Sequence, residues 1–189
     1  MLDGAEVLTR QAFWFLRHGE TAWNALNLSQ GNVDIPLNEV GLAQARTAAG
    51  SLSGCGIRSI VASDLSRARV TAEIVAERIG APVTLDPGLR EVSFGVQEGQ
   101  PMAHWFDEWV AGAFTPERAE SFADLGIRGL AAVNRALMHE APVLIVAHGA
   151  LFRAIRAAMG HTPMVRTPNA VPMFCEPGLP GAPWVLTPV

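Results

Sequence analysis

Three short runs with almost no charge do most to limit what this chain can fold into: Ala12-Phe13-Trp14-Phe15-Leu16, Ser59-Ile60-Val61-Ala62 and Pro142-Val143-Leu144-Ile145-Val146-Ala147. Each is too short for a core helix and suits a strand buried on both faces. The segments between them carry apolar residues at helical spacing. Strand and helix in alternation give an α/β fold with a mostly parallel sheet, because consecutive parallel strands need a crossover, usually helical.

The helices announce their own ends. Asn38-Glu39 opens one that runs through Ser53, with Val40, Leu42, Ala45, Ala49 and Leu52 on one face and Gly54 closing it. A second is expected from about Asp64 to Ile79, capped by Ser63 or Asp64 and stopped by Gly80. A third spans Gly149 to Met159 and halts at Gly160. Pro82 to Leu85 reads as a short edge strand, and Ala170 to Cys175 with Trp184 to Thr187 as a closing pair of strands. The stretch 101–140 lacks a strand signal and reads as two helical segments separated by Gly112 and Thr115-Pro116. It concentrates Trp105, Phe106, Trp109, Phe114 and Phe122, and its place in the chain lets it act as a lid. Aromatic residues at helical spacing more often pack inward.

The residues just past each strand are chemically pointed. The first run ends in Arg17-His18-Gly19-Glu20, the last in His148-Gly149, and the middle one opens into Ser63-Asp64-Leu65-Ser66-Arg67-Ala68-Arg69. Open α/β sheets bind ligands beyond the carboxyl ends of their strands. Imidazoles and guanidinium groups delivered there suit a phosphate group.

With these residues in view, the chain resembles the histidine phosphatase superfamily, which contains the phosphoglycerate mutases. The opening block is Arg17 to Thr21 with Trp23-Asn24, followed by Gln30-Gly31, Asp34 and Pro36-Leu37. The second-arginine block is Ser63 to Ala68 with Thr71-Ala72. The acid block is Leu89-Arg90-Glu91, Phe94-Gly95 and Glu98-Gly99, and the late block is Ala147-His148-Gly149. The resemblance implies a three-layer α/β/α fold, with 101–140 as a helical lid insertion, and phosphoryl transfer through a phosphohistidine. It assigns the nucleophile to His18, phosphate contacts to Arg17, Arg67 and His148, and the proton donor to Glu91, with Glu98, Glu20 and Asp34 as alternatives. Asn24, Gln30 and Gly31 fall where relatives contact the phosphate or the adjacent substrate. No metal or other cofactor is required, because the arginines and histidines supply the positive charge. His104, His139 and His161 carry no such pattern.

A phosphoryl group in transfer spreads negative charge over its oxygens, so it needs fixed cationic donors, an in-line nucleophile and a proton for the leaving oxygen. Arginine is suited to the first task, since its planar fork can hold two phosphate oxygens at once. A neutral histidine serves the second if its other N–H is held by an acceptor.

Composition narrows the partners. The 189 residues fit one domain, 1–189, and all 14 basic side chains are arginine, with no lysine. A net charge of −4 argues against a nucleic-acid or anionic-membrane surface. Cys55 and Cys175 lack metal-ligand spacing and read as reduced thiols. Met1 to Arg10 has no signal-peptide pattern, and no apolar run approaches the ~20 residues of a membrane span. The expectation is a cytoplasmic enzyme of a small phosphorylated substrate, with a homodimer left open.

Within the family, Glu91 followed by Val92-Ser93-Phe94-Gly95 looks like the phosphatase branch. A mutase must also hold a second anionic group, and the lid offers only Arg118, Arg128 and Arg135, spread apart. Hydrolysis of a phosphomonoester is therefore the expected reaction. A mutase-type phosphotransferase is the alternative, and a catalytically silent phosphate-binding module a more distant one. Gln97 and Ala119, where such phosphatases often carry Trp and Gly, leave phosphosugars, phosphoglycerates, a ribazole phosphate and phosphoproteins all open as substrates.

Overall fold

A computed structural model describes residues 7–189. The reading of the amino-terminal segment therefore falls, for residues 1–6, outside the described residues.

In chain order the elements are β1 (Phe13–Arg17), α1 (Ala22–Ala25), α2 (Glu39–Leu52), β2 (Ser59–Ala62), α3 (Ser66–Ile79) and β3 (Val83–Leu85). Then come α4 (Trp105–Val110), α5 (Phe122–Ala136), β4 (Val143–Ala147), α6 (Gly149–Ala158), β5 (Met173–Glu176) and β6 (Val185–Pro188). The strands form one sheet in the order β3-β2-β4-β1-β5-β6. Pairs β3-β2, β2-β4 and β4-β1 are parallel, while β1-β5 and β5-β6 are antiparallel. The fold is thus the expected α/β type with a mostly parallel sheet.

Alternation along the strands creates two cores. Phe13 and Phe15 of β1, and Val143, Ile145 and Ala147 of β4, join a cluster with α5 and α6, where Phe15 stacks on Phe152 at 3.9 Å between ring centroids. Leu16, Ile60, Ala62, Leu144 and Val146 face the other way, onto small residues of α2 and α3 such as Ala48, Ala49, Ala68 and Ala72. Both sheet faces are covered, which is why these strands read as unbroken apolar runs.

Three local readings change. On α2, Val40 is exposed and Gly41 takes the inward place, because the chain after β1 passes directly over it. A Cβ on Gly41 would lie 2.0 Å from the carbonyl oxygen of Glu20, and one on Gly19 would lie 2.4 Å from that of Gly41. Helix α3 starts at Ser66 rather than Asp64, since both candidate caps are engaged elsewhere: Ser63 with His148, and Asp64 with Arg90. Asp34 caps α3 from a distance by accepting from the backbone N–H and the hydroxyl of Ser66. Strand β5 begins at Met173 rather than Ala170, whose φ of +49° turns the chain and whose N–H donates to the carbonyl of Arg17.

The aromatic residues of 101–140 pack inward for the most part. Phe94, Trp105, Phe106, Trp109 and Phe122 form a chain of mostly edge-to-face contacts, and Trp109 is fully buried. Phe114 stays exposed. No helix among the described residues is long and apolar enough to cross a membrane.

Candidate active site

Because β2, β4 and β1 are neighbours, their carboxyl ends deliver side chains to one place. Two further backbone bonds extend the ladders past the strands: the N–H of His18 donates to Ala147 and that of Ser63 to Val146, both at 3.0 Å. His18, Ser63 and His148 are thereby set side by side, and the imidazole centroids of the two histidines lie 5.2 Å apart. His18 borders a cavity of about 290 Å³ lined also by Arg17, Asn24, Gln30, Gly31, Arg67 and Glu91 among others. Of the residues singled out from the sequence, Arg17, His18, Asn24, Gln30, Gly31, Arg67 and Glu91 meet at this cavity; His148 stands beside His18 without lining it, and Glu98, Glu20 and Asp34 do not line it.

His18 has a defined tautomer. Its Nδ1 lies 2.7 Å from the carbonyl oxygen of Gly19, which can only accept, so Nδ1 carries the proton and Nε2 keeps its lone pair. Burial, followed by the nearby guanidinium groups of Arg17 and Arg67, holds His18 well below the ordinary histidine range despite the opposing Gly19 contact. His148 is held down likewise, by burial first and then by Arg67, His18 and Arg17. Both are neutral at neutral pH.

The arginines are anchored by one edge. Arg17 donates through Nη1 to the carbonyl of Thr167 at 2.7 Å. Arg67 donates to the carbonyls of Val33 and Gly31 at 2.9 and 2.8 Å. Burial pushes the Arg17 guanidinium down to about 10, partly offset by Glu91, and lowers Arg67 too. Nε of Arg17, Nε of Arg67 and Nδ1 of His148 are buried and meet no protein partner. A tetrahedral oxyanion would supply acceptors for such donors.

Glu91 is fixed at the start of α6. Its carboxylate accepts from the backbone N–H groups of Ala150 and Leu151, both at 3.0 Å, and from Val92 at 3.1 Å. His148, the residue before α6, makes no side-chain cap, so Glu91 fulfils that task from another loop. A carboxylate of the protein itself thus meets the free N–H groups at this helix terminus.

Asn24 and Gln30 share Thr21. The Thr21 hydroxyl accepts from the Asn24 N–H and donates to Gln30 Oε1, while Asn24 Oδ1 accepts from the Thr21 N–H. Their oxygens are occupied, which leaves the amide nitrogens as donors for a ligand. Gly31 contributes its carbonyl to Arg67, and its φ of +53° and the closeness of Glu98, 2.1 Å from a would-be Cβ, explain the glycine. Among the described residues no group of three or more His, Cys, Asp or Glu is placed to hold a metal.

Sequence reasoning missed Arg153, Arg166, Thr167 and Asn169, which border the cavity or hold it together. Asn169 donates to the carbonyl of His18 at 2.9 Å. Arg153 lies one turn after Gly149 and was legible from that spacing, whereas 163–169 is a loop without a pattern. Arg118, Arg128 and Arg135 do not line the cavity. Arg128 pairs with Glu120 at 2.6 Å and with the carbonyls of Gly88 and Arg90, Arg135 pairs with Asp86, and Arg118 is exposed.

The model for the histidine phosphatase superfamily, branch 1, matches residues 13–171. The chain belongs to that superfamily. A probable phosphoglycerate mutase of Yersinia pestis, GpmB, is 39% identical over 150 residues, covering 72% of this chain and 68% of the relative. The mycobacterial glucosyl-3-phosphoglycerate phosphatase, solved with VO3, superposes with a TM-score of 0.79 at 29% identity, over 94% and 97% of the two chains. A Thermus thermophilus protein, TTHB049, gives 0.72 at 32% identity, over 87% and 92%. The superfamily is enzymatic and embraces both phosphatases and mutases.

Two outcomes are expected from this geometry. Both site histidines are held below the ordinary value of 6.5, so on acidification the unfolded chain takes up protons that the native state refuses. Their contribution is complete above that value and is lost as pH falls through it. Thermal melts should show stability dropping from about pH 7 to about pH 5.5, with a shallower drop in His148→Asn. Arg67→Ala should lower turnover by about 10²- to 10³-fold, as loss of one preorganised donor does, while Arg46→Ala on the exposed side of α2 leaves it unchanged. Steady-state kinetics on the two variants decide this.

Proposed function

We propose that this protein is a phosphomonoester hydrolase acting through a phosphohistidine on a small phosphorylated metabolite. The carrying observation is the His18 tautomer: Nδ1–H is committed to Gly19, and the Nε2 lone pair belongs to a buried ring beside Arg17, Arg67 and His148. In the first step Nε2 bonds to phosphorus as the P–O bond to the alcohol breaks, and the leaving oxygen takes a proton from Glu91. In the second step water attacks phosphorus and gives its proton to Glu91. The P–N bond then breaks, freeing inorganic phosphate and restoring His18. Arg17, Arg67 and His148 hold the equatorial oxygens throughout. The free thiols of Cys55 and Cys175 suit a cytoplasmic setting.

A mutase-type reading has one observation in its favour. Arg153 and Arg166 line the same cavity, and such cations can hold a second anionic group of a substrate. Arg153 is steadied by the carbonyl of Pro163 at 2.8 Å and lies 5.1 Å from the Phe106 ring centroid. Phosphate release from a panel of phosphomonoesters, run beside a coupled assay for phosphoglycerate interconversion, separates the two. Interconversion without release would replace the hydrolase reading.

A further inference from the structure

The second histidine is held against a serine. Ser63 follows β2 and is completely buried, and its hydroxyl lies 2.8 Å from Nε2 of His148. The same oxygen accepts from the backbone N–H of Leu65 at 3.3 Å. Two arrangements are open to this contact. If Nε2–H donates to the serine, the hydroxyl proton has no acceptor among the described residues and Nδ1 exposes only a lone pair. If the serine donates to Nε2, its proton is used and Nδ1 must carry the ring proton. Nδ1 is the buried nitrogen without a protein partner, on the ring 5.2 Å from that of His18. A lone pair there would repel a phosphate oxygen; an N–H would bind one.

We infer that Ser63 is a positioning residue: its hydroxyl donates to His148 Nε2 and fixes the Nδ1–H tautomer, making His148 a neutral donor to the transferring phosphoryl group. The catalytic consequence rests on the hydrolase reading above. The tautomer itself does not. The arrangement mirrors His18, whose Nδ1–H is fixed by a carbonyl so that Nε2 is the bare nitrogen. One acceptor and one donor thus give two adjacent imidazoles opposite faces, an electron pair from one and a proton from the other.

Long-range ¹H–¹⁵N spectra of histidine-labelled protein read the tautomer without any substrate, with His148→Asn identifying the resonances. In the wild type His148 should show a protonated Nδ1 and a bare Nε2. Ser63→Thr, which keeps the hydroxyl, should preserve that pattern. Ser63→Ala should shift both nitrogens toward a tautomer mixture and lower kcat about five- to tenfold with KM little changed, the scale of one lost hydrogen bond. A bare Nδ1 in the wild type overturns the inference, as does Ser63→Ala leaving both spectrum and kcat unaltered. If no phosphomonoester is turned over but the wild type shows Nδ1–H, the hydrolase reading fails while the serine's role stands.

Discussion

His18→Ala should abolish turnover, by about 10⁵-fold or more, while leaving the fold intact, because removal of a covalent nucleophile cannot be compensated by the remaining donors. The imidazole is buried and neutral, so its loss leaves no charge uncompensated, and the cavity it opens adjoins one already present. Brief incubation of the wild type with labelled substrate and an alkaline quench should trap acid-labile phosphate on the protein; His18→Ala should trap none. Retained activity in the variant, or wild-type turnover with no such label, would sink the covalent mechanism.

Glu91→Gln should have a double effect. As proton donor, its loss should slow phosphoryl transfer from alkyl phosphates to His18 by about 10²- to 10⁴-fold, and from aryl phosphates much less, since a phenolate leaves without protonation. Phosphohistidine should then accumulate with the aryl substrate, because water attack also needs the carboxylate. The second effect is structural. The carboxylate uses both oxygens to accept from Ala150, Leu151 and Val92, and glutamine would turn an NH2 toward one of those N–H groups. Facing two donors should cost about 1–3 kcal/mol of stability. Kinetics on paired alkyl and aryl substrates, together with thermal melts, test both. Equal slowing of His18 phosphorylation by the two substrates would leave Glu91 a helix cap and nothing more.

The fold and the centre of the site were legible because backbone rules write them locally. Strands buried on two faces are continuous apolar runs, and ligands gather beyond their ends, so Arg17, His18, Arg67 and His148 could be placed from the sequence alone. What stayed hidden depends on partners distant in the chain. Ser63 and Asp64 read as helix caps because local spacing cannot reveal that His148 and Arg90 claim them. Val40 read as core because nothing in α2 shows that the chain after β1 needs a glycine beside it. Glu91 could be named only by resemblance, since its place at the head of α6 is set by a loop pairing with a helix 59 residues on. Arg153 and Arg166 were overlooked in favour of the arginines of 101–140, of which Arg128 and Arg135 pair elsewhere and Arg118 is exposed.

The contact between Gly19 and Gly41 also bears on how such an enzyme can diversify. Two main chains touch there with no side chain between them, so neither position offers an intermediate substitution through which the His18 loop could be re-aimed. The part of the cavity around His18 is locked to its scaffold by exclusion. The opposite wall, with Met102, Phe106, Arg153 and Arg166, is made of side chains that can be exchanged one at a time. New specificities, in nature or in a mutagenesis library, should therefore arise on that wall, while the phosphoryl chemistry is inherited unchanged.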